Sequence, residues 1–389
     1  MTSVPGPESI DDLLARVHVV ALPMRVRFRG LTEREVALVE GPAGWGEFGA
    51  FPEYDDPEAS HWLRSALEMA WQGPPPALRS RVAVNATVPA VSAGEVAGIL
   101  DRFPGCTTVK IKVAESGQQL VDDVARVAAV LQARPDARIR VDANGAWTVA
   151  EAAHAVRVLD QAVRAVDATR APGTGPVSLD GQGLEYVEQP CATVEELVRL
   201  RARLAADGVY VDVAADESIR RAEDPLRVVR AGGADRAVVK VAPLGGPRRL
   251  LAVAAELGVP VTVSSALDSA VGVAAGVAAA AALPGVRSGR DGAAGDGAAG
   301  DGPGGDGPGG DGPGGDGPGG DDDEIPAAGL GTGGFFVEDV VEPGVFSLVD
   351  GCLPVAAVAP DPARLEGLRA CPDRRDWWLD RIRRCHDLL

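Results

Sequence analysis

Histidine, paired cysteines and positive charge are all in short supply in this chain of 389 residues. The four histidines (His18, His61, His154 and His386) lie outside the strand ends where other charges gather, so a histidine base or histidine metal ligand is not expected. The five cysteines, Cys106, Cys191, Cys352, Cys371 and Cys385, form no C-x-x-C pair. An odd, unpatterned set fits neither a disulfide framework nor a zinc motif, and predicts reduced thiols and a cytoplasmic location. Lys and Arg number 38 against 56 Asp and Glu, giving a formal net charge of −18. That argues against nucleic acid as a partner. Much of the charge is local: residues 291–324 hold ten acidic and no basic side chains, which leaves −18 + 10 = −8 for the rest. The N-terminal MTSVPGPESIDDLL lacks the basic and apolar regions of a signal peptide. The longest apolar stretch, 259–283, is mostly Ala and Val and carries Asp268 and a Ser264-Ser265 break, so it reads as a buried strand followed by an Ala-rich helix, and no membrane partner is expected.

What the chain does have is a series of short apolar runs that carry charge, from 108 to 241. They are TVKIKV (108–113), RIRVDAN (138–144), LEYVEQP (184–190), VDVAADES (211–218) and RAVVKV (236–241). In order they supply Lys110 and Lys112, Asp142 and Asn144, Glu188, Asp216 with Glu217, and Lys240. Ala/Leu/Val/Arg-rich stretches at helical spacing separate them, and strand alternating with helix predicts a parallel sheet. Charges at the C-terminal ends of successive parallel strands converge as in a (β/α) barrel active site. Residues two apart on a strand share a face, so Lys110 points with Lys112 and Asp142 with Asn144. Three carboxylates on neighbouring strands repel one another in a dry core. A hard divalent cation, Mg²⁺ or alternatively Mn²⁺, removes that cost. An ammonium beside a cation has its pKa pushed down, and a lysine so placed can act as a base near neutral pH.

The set K-x-K, D-A-N, E-Q-P, D-E-S and a lone lysine on the next strand, in that order, resembles the enolase superfamily in its muconate-lactonising subgroup. The resemblance covers most of the chain apart from a Gly/Asp-rich insert. It implies an α/β fold, a modified TIM (β/α)7β barrel with an α+β capping domain built from the N-terminal region and the C-terminal tail. The corresponding bounds are 1–76 for the first part of the cap, 77–345 for the barrel with an insert at 290–324, and 346–389 for the segment returning to the cap. It also implies a small-molecule carboxylate as substrate, with Mg²⁺ on Asp142, Glu188 and Asp216. Lys112 would be base and then acid, and Lys240 would stabilise the intermediate from the opposite face. Lys110 would keep Lys112 partly neutral and contact the carboxylate; Asn144 and Glu217 would orient ligands or metal-bound water. Ser264, Ser265, Gly329, Leu330 and Gly331 are candidates to hold a second carboxylate. KIKVAE, VDANGAW, VEQPC, ADES, SSALDS and GLGT are most similar to the actinobacterial branch that dehydrates 2-succinyl-6-hydroxy-2,4-cyclohexadiene-1-carboxylate in menaquinone biosynthesis. Racemisation of an N-acylamino acid needs two opposed bases, which Lys112 and Lys240 could supply. Muconate cycloisomerisation ranks below it. GLGTGG lacks the D-x-D pair of dipeptide epimerases, which counts against that branch. A non-catalytic metal-binding scaffold is the reading from another class. Oligomeric state, monomer or small homo-oligomer, stays open.

The remaining segments take their places around this centre. Residues 16–71 read as a small unit of antiparallel strands, a Gly/aromatic loop and a helix, with loops near 24–30 and 49–54 shaping substrate choice through Phe51 or Arg25. RVAVNATVPA (81–90) reads as the first barrel strand and 259–269 as the seventh, with Asp268 a cap for the next helix. PAAGLGTGG (326–334) reads as the eighth strand and its loop; its G-x-G-x-x-G is not in a βαβ unit, and exposed N–H groups facing a carboxylate are the better reading. The five-residue GDGPG-type repeat between them cannot bury enough apolar surface to fold. It is expected on the bottom face of the barrel, away from catalysis.

Overall fold

The computed structural model describes residues 6–28, 30–168, 183–220, 224–285 and 325–389. Apart from 284–325, the chain forms one compact unit. The repeat falls outside the described residues.

The N-terminal part begins with an antiparallel sheet, β1 (Val17–Phe28), β2 (Leu31–Gly41) and β3 (Gly44–Phe48), in that order. The helix Asp56–Trp71 packs on it, started by Asp55, whose carboxylate accepts the Glu58 N–H at 2.9 Å. The contact is so close that a Cβ on Gly46 would stand 2.0 Å from the Ala66 carbonyl oxygen, so only glycine lets helix and sheet meet there. The C-terminal helix Pro372–His386 closes the same unit. Its Trp378 is fully buried, packs edge-on against Phe48 at 5.5 Å, and donates its ring N–H to Glu35 at 2.9 Å. A deeply buried Trp with a satisfied N–H is a packing residue.

The second part is a parallel barrel sheet. It runs in the order β11 (Val261–Ser264), β10 (Arg236–Lys240), β9 (Asp212–Ala215), β8 (Tyr186–Glu188), β7 (Arg138–Asp142), β6 (Thr108–Lys112) and β5 (Ala86–Val88). These strands are short apolar runs buried on both faces, as parallel sheets covered by helices require. The eighth strand is reduced to two residues, Ala328 beside Val84 and Gly329 beside Ser264, both parallel. The Ala328 N–H donates to the Ala83 carbonyl at 2.7 Å and the Gly329 N–H to the Val263 carbonyl at 2.8 Å, which joins the two edges of the sheet. A side chain on Gly329 would put its Cβ 2.6 Å from the Ser264 hydroxyl, so closure needs glycine at this point. The apolar stretch after β11 is the helix Ala270–Ala282, buried in the barrel wall. Among the described residues no helix is long and apolar enough to cross a membrane.

Two expectations are corrected here. The run 81–90 is not one barrel strand. It breaks at Asn85 into β5 and β4 (Arg81–Ala83), and β4 pairs antiparallel with β12 (Cys352–Pro354). The C-terminal segment therefore touches the barrel at β12 before Leu368 and Ala370 bond to β1 and the last helix reaches the cap. Asp268 does not cap the following helix. Ser269 does, at 3.3 Å to the Val271 N–H, while Asp268 accepts the Ala266 N–H at 3.0 Å.

Candidate active site

Strand register assembles the charged residues. Lys112 on β6 stands beside Asp142 on β7, and Asp142 beside Glu188 on β8. Glu188 pairs with Ala214 on β9, two residues before Asp216, and Lys240 ends β10. The C-terminal ends of five adjacent strands thus read Lys, Asp, Glu, Asp, Lys. Lys112 and Lys240 are four strands apart, on opposite sides of the mouth, with the three acids between.

Side-chain contacts follow that order. The Lys112 ammonium donates to Asp142 at 2.6 Å and Asn144 at 2.7 Å, and Lys110 to both oxygens of Glu188 at 2.9 and 3.0 Å. Lys110 also lies 3.1 Å from Asp142. Lys240 donates to Asp216 at 2.5 Å. Asn144 sits in the left-handed region at φ 48, which lets its N–H turn back to Asp142 at 3.1 Å while its amide reaches Glu217 at 3.2 Å. Gln189 braces the neighbouring turn, its side-chain Oε1 accepting the N–H groups of Asp216 at 3.0 Å and Ser218 at 3.2 Å.

The electrostatics show how closely the acids crowd. Burial first, then the Asp142 charge, pushes Glu188 up to about 7. Burial opposes ionisation of Asp142, yet Lys112 and Lys110 hold its pKa far below the usual carboxylate value. Burial likewise works against Asp216, and Lys240 and Arg220 outweigh it. Lys240 is lowered, by burial first and by Arg220, with Asp216 opposing. At Lys110 burial opposes the charge, but Glu188 and Asp142 win and raise its pKa. Its immediate neighbours are carboxylates, not cations.

Around the charges lies a cavity of about 50 Å³, lined by both edges of the site and by the cap. Ser264, Ser265 and Gly329 line it, as do Phe51, Lys110, Lys112, Asp142, Asn144, Asp216 and Lys240. Ser265 ties the rim together, its hydroxyl bonding the Gly329 carbonyl at 3.0 Å and the Thr332 hydroxyl at 2.8 Å. Three expected contacts lie elsewhere. Leu330 packs its side chain toward Gly276, and Gly331 backs onto the Asn85 carbonyl and Phe103. Arg25 spends its guanidinium on the carbonyls of Phe336 at 2.9 Å and Val337 at 3.1 Å. Thr87, Tyr54, Trp62, Arg220 and Thr332 line the cavity without having been singled out from the sequence. Arg220 carried a signal, since it follows Asp216 by four residues, one helical turn.

Among the described residues no three His, Cys, Asp or Glu side chains already form a metal cluster. Lysines take that place, balancing Asp142, Glu188 and Asp216 one by one. The donor set nonetheless suits a hard cation: three carboxylates on adjacent strands that repel one another. A fourth acceptor, Glu217 Oε2, is buried with no hydrogen-bond partner among the described residues. A buried carboxylate oxygen without a donor is costly unless water or an ion completes it.

Comparison with known proteins agrees with this geometry. Residues 19–70 match the family model "Enolase N-terminal domain-like" and residues 96–298 match "Enolase C-terminal domain-like". Among solved structures, muconate lactonizing enzyme from Pseudomonas fluorescens superposes with a TM-score of 0.62 at 20% identity, over 91% of this chain and 98% of that one. An enolase from Mycobacterium smegmatis gives 0.64 at 17% identity, over 94% and 91%. Fold and matches together define an enolase-like enzyme: a modified TIM barrel under an N-terminal cap.

Curated relatives are closer. Proteins named o-succinylbenzoate synthase from Mycolicibacterium smegmatis and Mycobacterium marinum are 54% and 52% identical, over 99% of this chain and 99% and 98% of theirs. The chain belongs to the o-succinylbenzoate synthase family.

Proposed function

We propose that this enzyme is a hydro-lyase that converts 2-succinyl-6-hydroxy-2,4-cyclohexadiene-1-carboxylate and releases 2-succinylbenzoate and water, a step of menaquinone biosynthesis. The observation that carries the site reading is the placement of Lys112 and Lys240 across the barrel mouth, with Asp142, Glu188 and Asp216 on the strands between.

The reaction breaks one C–H and one C–O bond. The proton lies α to a carboxylate, so its removal piles negative charge on the carboxylate oxygens. Asp142, Glu188 and Asp216 would hold Mg²⁺, which supplies positive charge beside those oxygens. Lys112 takes the proton and returns it to the departing hydroxyl, so one group serves as base and then acid. Lys240 keeps its ammonium over the other face of the ring, where the delocalised charge attracts it. Lys110, held between Glu188 and Asp142, favours the ionised form of Glu188 against its burial and would contact the substrate carboxylate. Ser264, Ser265 and Gly329 line the wall proposed for the succinyl end, where the two serine hydroxyls would have to leave the Gly329 carbonyl to donate to a carboxylate. Asn144 orients both Lys112 and Glu217. Phe51 and Tyr54 of the cap loop 49–54 line the cavity, so that loop would screen the bound substrate from water.

The opposed lysines also favour racemisation of an N-acylamino acid as a second activity of the same site. The test of the main reading is direct. With Mg²⁺, purified protein should convert the diene to the aromatic product, followed by the change in ultraviolet absorbance. An unchanged diene, together with a Lys112→Ala variant indistinguishable from the parent, overturns it.

A further inference from the structure

Three buried arginines hold the cap loop 49–54. Arg34 donates to the carbonyls of Leu267 at 3.1 Å and of Gly49. Arg381, on the C-terminal helix, donates to the carbonyls of Ala50 at 3.0 Å, Phe51 at 3.0 Å and Tyr54 at 2.6 Å. These two grip backbone. The third, Arg220, belongs to the barrel and grips side chains. Its Nε donates to Asp216 Oδ1 at 3.0 Å, one Nη to Glu217 at 2.6 Å, and the other Nη to the Tyr54 hydroxyl at 2.9 Å. Its side chain is 4% exposed. One planar guanidinium therefore joins a carboxylate of the proposed cation site to the tip of the cap loop.

Which oxygen Arg220 takes matters. It holds Oδ1 of Asp216, while Oδ2 is the oxygen that Lys240 reaches at 2.5 Å. A carboxylate pinned by one oxygen has lost the rotation that would turn its free oxygen away from a cation. The three arms of the fork point in fixed directions and are all filled only with Tyr54 in place. Without that hydroxyl, one buried arm lacks its acceptor and the fork is free to turn, taking Asp216 with it.

We propose that Tyr54 and Arg220 are a positioning pair that makes the aim of Asp216 depend on the seating of the cap loop. Tyr54 and Asp216 line the same cavity, so a lift of the cap loop on substrate entry acts directly on the pair. Lifting breaks the bond from Tyr54 to Arg220 and loosens Asp216; closing restores both. The cation is then held tightest when the site is shut. The inference rests on Asp216 as a metal ligand, and not on which carboxylate is the substrate.

The test titrates Mn²⁺ into the parent, Tyr54→Phe, Arg220→Lys and Arg220→Met, reading free Mn²⁺ by electron paramagnetic resonance with no substrate present. Turnover of the diene and thermal melting are measured beside it. Tyr54→Phe, which removes one oxygen atom and keeps the ring, should weaken Mn²⁺ binding about tenfold, the usual scale for groups that orient a ligand. It should lower kcat and leave KM within about twofold. Arg220→Met should weaken Mn²⁺ binding further, and Arg220→Lys should recover part of the loss. Should Arg220→Met fail to fold, Tyr54→Phe decides. Tyr54→Phe with unchanged Mn²⁺ affinity and a raised KM makes Tyr54 a pocket wall only and overturns the pairing. A parent that binds Mn²⁺ but ignores the diene overturns the dehydration instead, and the Mn²⁺ comparison still judges the pair.

Discussion

Lys112 and Lys240 look at each other across the barrel from β6 and β10, with an acid on each of the three strands between. Two amines on one strand, or on neighbouring strands, could reach only one face of a bound ring. Four strands apart, they reach both. This division predicts unlike consequences for losing each. Lys112→Ala removes the group that moves the proton and should lower kcat by at least about 10²-fold. Lys240→Ala removes a charge that stabilises the intermediate and should cost about 10²-fold, part of which Lys240→Arg recovers. Steady-state rates on the diene check both, and a Lys112→Ala enzyme within about tenfold of the parent would show that the proton is taken elsewhere.

Cation binding should be visible in stability as well as in rate. A ligand that binds only the folded chain stabilises it by about 2.7 kcal/mol at a hundredfold excess over its Kd. Mg²⁺ should therefore raise the melting temperature of the parent, and a chelator should lower it and abolish turnover. Asp142→Asn and Asp216→Asn should melt at the same temperature with and without Mg²⁺. The reading of these acids as ligands fails if both variants keep the full Mg²⁺-dependent rise.

The charged strand ends were legible because a parallel barrel translates sequence order into spatial order. Each run carries its polar residue at its C-terminal end, and neighbours in sequence become neighbours in the sheet. Lys110, Lys112, Asp142, Glu188, Asp216 and Lys240 needed no further information. What escaped depends on contacts between distant parts of the chain. Arg220 looks like any arginine in a helical turn until Tyr54, 166 residues away, is seen to accept from it. Leu330 and Gly331 belong to a glycine loop whose pattern says that it turns, not which way its groups face. The break at Asn85 was hidden too. Its side chain accepts from Arg140 at 3.1 Å and donates to the Ala86 carbonyl at 3.0 Å, local bonding that competes with a continuous strand.

The place of the Gly/Asp/Pro repeat in the chain predicts that it joins the barrel away from the charges. It follows the helix Ala270–Ala282 and precedes Ala328 and Gly329, which close the barrel. Connections from helix to strand run at the end of the barrel opposite the C-terminal strand ends. Deleting residues 291–323 should leave kcat and KM on the diene within about twofold of the parent, because loop closure depends weakly on length. A large fall in kcat with an unchanged melting temperature would tie the repeat to catalysis and contradict this placement.

Glu47 sets a pH dependence that is separable from the catalytic acids. It is buried on β3, accepting from the Ser269 N–H at 3.0 Å and the Gly272 N–H at 3.3 Å at the start of the helix Ala270–Ala282. Burial first, then the Asp268 charge, raises its pKa from 4.5 to about 8, against the lowering effect of Ser269 and Arg34. The folded chain therefore keeps a proton here that the unfolded chain gives up. Its stabilising contribution is complete below 4.5 and is lost as pH rises toward 8. The slope is at most about 1.4 kcal/mol per pH unit. Glu188 and Asp268, also raised, tilt the parent in the same direction, so the informative quantity is a difference between proteins. Glu47→Gln removes the titrating group and relieves Asp268 of its charge. Between pH 6 and pH 8 its melting temperature should fall less than the parent's. Parallel curves for the two proteins would mean that Glu47 is ionised throughout this range, with Arg34 and the helix N–H groups outweighing its burial.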